Sequence, residues 1–402
     1  MPEVMTSKPP LLVFSDDWGR HPSSCQHLVR EMLGHRSVTW VNTIGTRPPR
    51  LDWATAKRVF EKLKQWSPLS GGRQPSLPAT QGEGAHGGFP PTAPERVLSP
   101  KMWPSFKGRF ARSLNKKLLL RALKPIVAAM PQPPIVVSTL PLVTDLVGEL
   151  PASKWVYYCV DDFGVWPGYD GVTMRLLERE FVAKVDTVVA VSETLVSHLK
   201  DLGRDSHLLT HGVDFRYWKQ SPGAIPDEFH GLEAPFVVFW GVIDRRMDVD
   251  FVTEIAKAMP KGTLVLLGPQ ADPDPVLFRL PKVAVRPAVP FERLPSLAAV
   301  ADVLVMPYID APVTRAMQPL KLKEYLATGK PVVVRGLPST YGWADACDVC
   351  DSSERFAQAV GDRLREGILP TQPIARERLS EEGWGAKAKL LEGWMEDQRN
   401  KE

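Results

Sequence analysis

The chain has 402 residues, of which 44% are hydrophobic and 24% are charged. These proportions are typical of a globular protein with two or three domains. The 50 basic and 46 acidic residues leave a net charge of +4, which is too small an excess to indicate a nucleic-acid partner. Four cysteines do not make a disulfide framework, and no apolar run approaches the roughly 20 residues of a spanning helix. The N-terminal residues also lack a signal-peptide pattern, so we expect a cytoplasmic protein that is soluble or, at most, bound to a membrane surface.

Short apolar runs alternate with helical patterns along the first half of the chain. The predicted strands are "PLLVFS", "SVTWVNT", "PIVVST", "KWVYYCV" and "DTVVAVS". The predicted helices that follow or separate them are "SCQHLVREML", "LVTDLVGEL", "TMRLLEREFVAKV" and "ETLVSHLKDL". Unbroken runs rich in β-branched residues, separated by helices, predict a parallel α/β sheet that is covered on both faces.

The same pattern restarts after the break "WKQSPGAIPDEFHGLEA", with the predicted strands "PFVVFWG", "GTLVLLG", "KVAVR", "DVLVMPY" and "PVVVR". We therefore predict two doubly wound domains, residues 1–218 and 219–373, hinged near residues 215–230. The last helix, in residues 374–402, has no strand after it and is expected to pack back on the first domain. Residues 67–99 are rich in Pro, Gly and Ser, which predicts a disordered insertion.

The stretch "QPLKLKEYLATGKPVVV" places a proline-started helix after the strand "DVLVMPY". Ligands of doubly wound sheets bind at the carboxyl ends of strands, where helix N-termini offer free N–H groups to a phosphate. Leu320 and Lys321 would supply such N–H groups, and Lys321 would add positive charge. Glu324 lies one turn further, where a carboxylate suits the two hydroxyls of a ribose. From these residues alone, a solvated glutamate on an ordinary helix remains an equal alternative.

"TRAMQPLKLKEYLATGKPVVV" resembles the donor-site signature of GT-B glycosyltransferases of family 4, in the branch with teichuronic-acid-type enzymes. The segments "VYYCVDDFGVWPG", "HGVDFRYW", "WGVIDRRMDVDFV" and "TLVLLGP" agree with that branch in the same order. The resemblance covers roughly residues 10–60 and 95–370. It implies two Rossmann-like domains facing a cleft, with the nucleotide sugar on the second domain, the acceptor on the first, and Glu324 gripping the ribose.

The resemblance also implies roles on the donor side of the cleft. Many family members have a glutamate that contacts the transferred sugar eight residues before the ribose glutamate, where this chain has Ala316. Sugar contacts would then come from Thr314, Arg315 or Gln318. The family also places a basic pair after the strand "FVVFWG" to neutralise the diphosphate leaving group. Arg245 and Arg246 are the matching residues, Arg246 the better match, with a plain surface loop as the alternative.

On the first domain, "CVDDFG" places Asp161 and Asp162 at the carboxyl end of a strand. Asp161 replaces a histidine of many relatives, and such a carboxylate could stabilise oxocarbenium character or orient the acceptor hydroxyl. A capping carboxylate is the alternative. The loop "SDDWGRHPSS" offers Gly19, Arg20 and Ser23 as contacts to phosphate or acceptor, although a serine there is also an ordinary helix N-cap.

Residues 96–144 contain nine basic residues and no acidic one. Trp103, Phe106 and Phe110 recur at helical spacing among them. This pattern fits a basic amphipathic segment on an anionic membrane, and equally a helix whose apolar face packs in the core. Elsewhere, "CDVC" at 347–350 has metal-like spacing but favours buried structural cysteines. His211 is expected to shape the turn between the domains.

These observations predict a hexosyltransferase-type glycosyltransferase that moves a sugar from a nucleotide-sugar donor to a glycan or lipid-linked acceptor. The resemblance implies retention of anomeric configuration and no cofactor or metal, with a peripheral contact at the inner membrane face left open. Two alternatives stay open: a sugar-nucleotide epimerase of the same fold, and a non-catalytic nucleotide-sugar-binding relative, which Ala316 keeps in view. An oxidoreductase is disfavoured because no GxGxxG follows the first strand.

Overall fold

The computed structural model describes residues 8–20, 22–43, 93–219 and 225–397. A first sheet of seven parallel strands has the order β3-β2-β1-β4-β5-β6-β7. Its strands are β1 Leu11–Ser15, β2 Val38–Asn42, β3 Arg96–Leu98, β4 Ile135–Ser138, β5 Lys154–Cys159, β6 Thr187–Ala190 and β7 His207–Leu208. The helices of this domain are α1 Ser24–Met32, α2 Gly108–Ala128, α3 Gly171–Val182 and α4 Glu193–Asp201, with a 3₁₀ turn at Pro141–Leu146. Strands β1, β4 and β6 are buried at every position, as expected for a parallel sheet between two helical layers.

The second domain repeats this architecture with a six-stranded parallel sheet in the order β12-β10-β8-β13-β14-β15. Its main strands are β8 Phe236–Trp240, β10 Thr263–Leu267, β12 Val283–Arg286, β13 Val303–Met306, β14 Val332–Arg335 and β15 Asp348–Cys350. Two short strands, β9 Ile243–Asp244 and β11 Gln270–Ala271, pair with each other beyond the carboxyl ends of β8 and β10. The fold is thus the doubly wound α/β pair predicted from the sequence.

Helices cover both faces of the second sheet and complete the chain. They are α5 Phe215–Trp218, α6 Val249–Ala258, α7 Leu294–Val300, α8 Pro312–Ala316, α9 Leu320–Ala327, α10 Pro338–Tyr341, α11 Ser353–Glu366, α12 Thr371–Ala375 and α13 Trp384–Glu396. Short 3₁₀ turns lie at Asp227–Phe229, Pro275–Phe278, Phe291–Arg293 and Arg376–Glu381.

The border between the domains differs from the predicted one. Leu209 belongs to the core of the first domain, whereas Val213 and Trp218 belong to that of the second. Trp218 stacks on Trp240 with ring centres 5.4 Å apart, so α5 is part of the second domain rather than the end of the first. The boundary predicted at 218 was placed by turn composition, but the packing of one tryptophan moves it before residue 213.

The chain returns to the first domain near its end. Leu379 still packs in the second core, and Trp384 packs in the first. Helix α13 then lies against α1, with Glu392 bonded to His35 and Arg36. The helix therefore returns as expected, but residues 374–379 remain with the second domain because their apolar and buried polar groups pack there.

The predicted insertion 67–99 is only partly within the described residues. Its end, Arg96–Leu98, forms β3 and pairs in parallel with β2, so the prediction of disorder is wrong there. An edge strand needs backbone partners on one side only, and three residues are too few to show a period in a Pro- and Gly-rich window. Residues 67–92 lie outside the described residues.

Two segments of chain cross between the domains side by side. The backbone N–H of Val213 donates to the carbonyl of Glu382 at 2.9 Å. The ammonium of Lys323, on α9, donates to the hydroxyl of Thr210 at 3.2 Å and to the Glu382 carboxylate at 2.5 Å. Burial lowers the pKa of Lys323 to about 8, although Glu382 opposes the shift. Helix α9 is therefore bonded through Lys323 to both crossing segments.

Candidate active site

The N-terminus of helix α9 faces the first domain. Its first residue, Leu320, packs against the core of that domain. The ammonium of Lys321 contacts the hydroxyl of Tyr308 and lies 4.4 Å from the centre of the Phe239 ring. These two aromatic residues mark the carboxyl ends of β13 and β8. Lys321 thus carries its charge to the edge of the sheet where doubly wound folds bind ligands.

Gly241 makes room for this lysine. It follows β8 directly, with φ at +138°, and a Cβ at this position would collide with the Lys321 ammonium. Gly268 follows β10, and a Cβ there would collide with the Gly241 carbonyl. Both glycines therefore allow a close approach at the strand ends that no other residue type allows.

Glu324 lies one turn into α9 and is partly buried. The indole N–H of Trp240 lies 3.4 Å from its Oε2. The backbone N–H of Trp240 in turn donates to the hydroxyl of Tyr325 at 3.0 Å. Burial raises the pKa of Glu324 to about 7, with the Trp240 contact and the Lys321 charge opposing the shift. A carboxyl group held at such a pKa beside a cleft is a functional candidate rather than a solvated surface group.

A narrow pocket opens beside Glu324 at the interface of the domains. Tyr217 and Phe291 are stacked there, with ring centres 5.4 Å apart and planes at 4°. His27 of α1 stacks on Trp384 of α13 with ring centres 4.6 Å apart. The residues that line the pocket are His27, Gly212, Val213, Asp214, Tyr217, Trp218, Phe291, Glu324 and Trp384.

Arg246 is held from several sides at the same interface, with only 10% of its side chain exposed. Asp244 accepts from its Nε at 3.0 Å and its Nη2 at 2.8 Å. Its Nη1 lies 3.5 Å from the sulfur of Met317, and the ring centre of Trp166, in the first domain, lies 4.9 Å from its Cζ. Burial opposes the charged form, but the Asp244 hydrogen bond and the surrounding negative groups outweigh burial and raise the pKa of Arg246.

Asp161, in the first domain, is influenced by the charge of this arginine, and Asp162 has a structural role. Burial raises the pKa of Asp161 to about 7, against the charge of Arg246 and with that of Asp162. Asp162 accepts from the backbone N–H of Gly164 at 2.9 Å, which shapes the turn after β5. The capping alternative therefore describes Asp162, and Asp161 is the carboxyl group that stays near the cleft.

Two predicted donor contacts point elsewhere. The Arg245 side chain is 53% exposed and pairs with Asp272 at 3.4 Å and Asp274 at 3.3 Å. Both arginines lie in the turn after β9, and these ion pairs hold the Arg245 side chain at the surface while Arg246 is buried. Arg315 is 59% exposed and pairs with Asp310 at 2.5 Å. Both assignments are corrected by these ion pairs.

Gln318 is the remaining candidate for the sugar contact that Ala316 does not provide. Thr314 is fully buried, and its hydroxyl bonds the backbone carbonyl of Ile309 at 2.5 Å, so it caps α8. The carbonyl of Ala316 accepts from the Ser192 hydroxyl at 2.7 Å, which joins α8 to α4 of the first domain. Gln318 is 7% exposed and directly precedes the proline before α9.

The loop after β1 is organised by its own side chains. Ser23 is the N-cap of α1 and accepts from the backbone N–H of Gln26 at 3.4 Å. Gly19 has φ at +75° and donates its N–H to Gln26 Oε1 at 3.0 Å. Arg20 is exposed and pairs with Asp17 at 3.2 Å. The ordinary capping role therefore accounts for Ser23, and Arg20 lies on the surface.

Three residues at this interface were missed from the sequence. Asp16 accepts from the side chains of Ser23 at 3.0 Å and Gln26 at 2.8 Å, and so fixes the β1–α1 loop. A buried glutamine in a first helical turn gives no pattern that a sequence reader can recognise. Trp166, which touches Arg246, did have a signal: an aromatic residue in a Gly- and Pro-containing loop after a parallel strand.

The remaining candidates have structural surroundings. His211 is 7% exposed, and burial lowers its pKa to about 3. Its ring lies 6.4 Å from that of Trp384, within the crossing segments where a turn-shaping role was expected. Cys347 and Cys350 are buried, and burial raises the pKa of both thiols, to about 12 and about 11.

No helix within residues 8–20, 22–43, 93–219 and 225–397 is long and apolar enough to cross a membrane. Nor do these ranges contain three or more His, Cys, Asp or Glu side chains grouped so that they could hold a metal ion.

Comparison with solved structures identifies the architecture. The chain is similar to a sucrose-phosphate synthase from Thermosynechococcus elongatus, with a TM-score of 0.64 and 16% identity over 96% of this chain and 98% of that one. Anabaena HepE in complex with UDP-glucose has a TM-score of 0.62 and 12% identity, over 95% of this chain and 98% of that one. A UDP-forming trehalose-phosphate synthase from Burkholderia xenovorans has a TM-score of 0.61 and 10% identity, over 97% of this chain and 99% of that one. The chain has the GT-B fold.

Comparison of sequences gives a partial relative. The chain is 34% identical over 178 residues to a putative teichuronic acid biosynthesis glycosyltransferase, TuaH, of Bacillus subtilis. The match spans 42% of this chain and 44% of that protein, which is less than half of each. No family model matches the chain. This relative is of the teichuronic-acid type that the motif around Glu324 resembles, and the similarity covers part of each chain.

Proposed function

We propose that this protein is a glycosyltransferase that moves a sugar from a nucleotide-sugar donor to a glycan or lipid-linked acceptor, with retention of anomeric configuration. One observation carries the proposal. The free N–H groups of α9, the Lys321 ammonium and the partly buried Glu324 carboxyl lie on one helix, and Arg246 and Asp161 influence each other electrostatically across the same interdomain cleft. The names of its relatives support the same reading.

The proposed chemistry follows from this arrangement. The diphosphate would lie at the N-terminus of α9, and Glu324 would accept from the ribose hydroxyls one turn away. The bond between the anomeric carbon and the β-phosphate oxygen breaks, and a bond to the acceptor oxygen forms. The acceptor hydroxyl passes its proton to the departing β-phosphate oxygen as this bond forms. Negative charge develops on the departing diphosphate, where a fixed guanidinium, Arg246, stabilises it.

No metal is needed in this proposal, because Lys321 and Arg246 supply two positive charges at the leaving group. We expect donor turnover by dialysed protein to persist in EDTA and to change less than twofold on addition of Mg²⁺ or Mn²⁺. Loss of turnover in EDTA that Mg²⁺ restores would contradict the proposed metal-independent mechanism.

A panel of radiolabelled UDP-, GDP- and ADP-sugars, with and without extracted lipid acceptors, tests the function. Transfer to an acceptor, together with slow donor hydrolysis in its absence, supports a transferase. Inversion at C2 of the free sugar nucleotide would instead identify an epimerase. Tight binding of one nucleotide sugar without turnover would identify a non-catalytic relative and contradict the proposal.

A lipid-linked acceptor is favoured by an exposed surface of the first domain. The large apolar side chains there are Trp103, Phe110, Val172 and Leu176, with 47%, 79%, 74% and 53% exposed; we call them the apolar patch. The bidentate pairing of Arg112 with Glu180, at 2.9 Å and closer, joins α2 to α3. On α3, basic Arg175 and Arg179 share the exposed face with Val172 and Leu176. Such a mixed face suits an anionic membrane surface.

The structure revises the predicted basic amphipathic segment itself. Helix α2 begins at Gly108, so Trp103 and Phe106 precede it. Phe106 is only 4% exposed and packs in the core, as the alternative interpretation expected. Arg112 is taken up by Asp145 and Glu180. Phe110 keeps the exposed position that the membrane interpretation requires.

A further inference from the structure

The loop after β5 carries an aromatic side chain across the cleft. Residues 160–170 leave the first sheet, and Trp166 ends with its ring centre 4.9 Å from the Arg246 guanidinium of the second domain. At this distance a desolvated guanidinium is attracted to the face of an indole ring. The contact therefore joins the acceptor domain to the residue proposed to stabilise the leaving group.

The loop is built to hold this tryptophan in place. The backbone N–H of Val165 donates to Asp162, and that of Tyr169 donates to Trp166, both at 3.2 Å. Phe163 is buried and lies within 6.4 Å of the Trp166 ring, centre to centre. A Cβ on Gly171 would collide with the carbonyl of Gly164, which closes the base of the loop. Trp166 is thus presented by two turns and an aromatic anchor.

The loop covers one side of the arginine. Asp244 and Met317, both of the second domain, contact the guanidinium on other sides. Trp166 is a contact that comes from the first domain, so separation of the domains would remove it and admit water. A cation in a dry site stabilises developing phosphate charge far more than a hydrated one does.

We propose that Trp166 is a positioning residue that covers Arg246 and couples closure of the acceptor domain to departure of the nucleoside diphosphate. The coupling to diphosphate departure rests on the proposed function. The covering of Arg246 by Trp166 does not, because it concerns only how accessible the Arg246 guanidinium is in the free protein.

The first test labels arginines with phenylglyoxal and maps the adducts by mass spectrometry in wild type, Trp166→Phe, Trp166→Leu and Trp166→Ala. Arg245, the exposed neighbour, serves as an internal control of reagent and fold. We expect Arg246 to be labelled at least fivefold more slowly than Arg245 in wild type and in Trp166→Phe. Labelling should approach that of Arg245 in Trp166→Ala, with Trp166→Leu in between. Equal protection of Arg246 in wild type and Trp166→Ala, or no protection in wild type, would overturn the proposal.

The second test measures turnover with the UDP-, GDP- or ADP-sugar of the panel that wild type consumes. Trp166→Ala should lower kcat about tenfold and leave the donor KM within twofold, and Trp166→Phe should recover most of the rate because it keeps a ring face. Phe278→Ala removes another aromatic side chain, one that is 51% exposed, and is the matched control that should match wild type. An unchanged kcat in Trp166→Ala overturns the coupling. If wild type shows no turnover, the proposed function is overturned and the coupling with it. The labelling experiment still decides whether Trp166 covers Arg246.

Discussion

Glu324 lowers the stability of the free protein when it is ionised, although its proposed role in the complex needs the ionised form. As burial raises its pKa to about 7, above the ordinary value of 4.5, the folded state favours the protonated form. Stability from this group is therefore fully present below pH 4.5 and is lost as the pH rises through about 7. In the proposed function the ionised carboxylate accepts hydrogen bonds from the ribose hydroxyls, so the proposed binding role and the stability of the free protein favour opposite protonation states of Glu324.

We expect Glu324→Gln to weaken nucleoside diphosphate binding at pH 8 by about 1–3 kcal/mol, since a charged acceptor is lost. The same variant should unfold at an equal or higher temperature than wild type at pH 8, with a smaller difference at pH 5. Calorimetric titration with UDP, GDP and ADP and thermal unfolding at both pH values check this. Glu254→Gln, a change at a partly exposed residue of α6, is the control, and unchanged affinity in Glu324→Gln would remove the residue from the site.

Arg246 and Arg245 make a matched pair for a kinetic prediction. Arg246→Ala should lower kcat by about a hundredfold or more with a smaller change in donor KM, because leaving-group charge grows in the transition state. Arg245→Ala breaks only exposed ion pairs and should stay within about threefold of wild type. Steady-state kinetics on the donor decide between them, and a rise in KM alone would show that Arg246 binds ground state and transition state equally.

Loss of Arg246 should also shift the pH dependence. The Arg246 charge holds the pKa of Asp161 down against burial, which still raises it to about 7. Without the guanidinium, Asp161 should ionise at higher pH. If ionised Asp161 is needed, the acidic limb of the residual rate profile in Arg246→Ala moves upward in pH. A limb at the wild-type position would exclude Asp161 from the rate-limiting step.

The sequence predicted which residues lie near the cleft better than it predicted which way their side chains point. Family motifs place Glu324 and Arg246 by spacing along the chain, and both reach the cleft. The choice among Thr314, Arg315 and Gln318 depended on which polar group the local backbone would take, and Thr314 is taken as a cap of α8. Trp166 was missed because it contacts Arg246 of the other domain, a residue 80 positions further along the chain.

At the scale of elements, α2 and α3 together make a surface that neither makes alone. The exposed face of α3 alternates apolar and basic residues, and Lys107, Arg109 and Phe110 lie beside it on the start of α2. Each basic residue near an anionic surface contributes about 1 kcal/mol, which fades beyond a Debye length. Reversible membrane binding is the expected result.

We expect wild type to sediment with phosphatidylglycerol-containing liposomes at low salt, and much less so at high salt. Phe110→Glu/Leu176→Glu should stay in the supernatant while keeping its unfolding temperature. Ile374→Glu/Leu390→Glu makes the same change at exposed apolar residues of α12 and α13 and is the control. Equal recovery of wild type and the Phe110/Leu176 variant in the supernatant would assign the apolar patch another role.

Strand and helix order was predictable because the buried parallel strands read as unbroken apolar runs. Edge elements were not, since β3, β9 and β11 have two or three residues each and owe their form to a neighbouring backbone. The helical spacing of Trp103, Phe106 and Phe110 also continues upstream of the first residue of α2, Gly108, into a segment where Phe106 packs in the core. Periodicity reports which residues are apolar, and packing decides where the helix begins.

At the scale of the whole molecule, the two domains share one interface rather than a single hinge residue. Lys323 bonds to both crossing segments, Ser192 bonds to the Ala316 carbonyl, and Trp166 covers Arg246. Two of these three residues are close neighbours of the proposed donor groups. A movement of one domain against the other would therefore be felt at the donor site without any further connecting element.

The double crossing has a practical consequence for dividing the protein. The first domain is not one continuous stretch, since α13 belongs to it although the whole second domain lies between β7 and α13 in the chain. A fragment cut after β7 would lack the cover of α1 and leave Arg36 without its Glu392 and Glu396 partners. Because the crossing segments lie side by side, joining residue 209 to residue 384 through a short glycine linker should give an acceptor domain that folds by itself. Residues 210–383 form the complementary donor piece, so the nucleotide affinity of one half could be measured in the absence of the other.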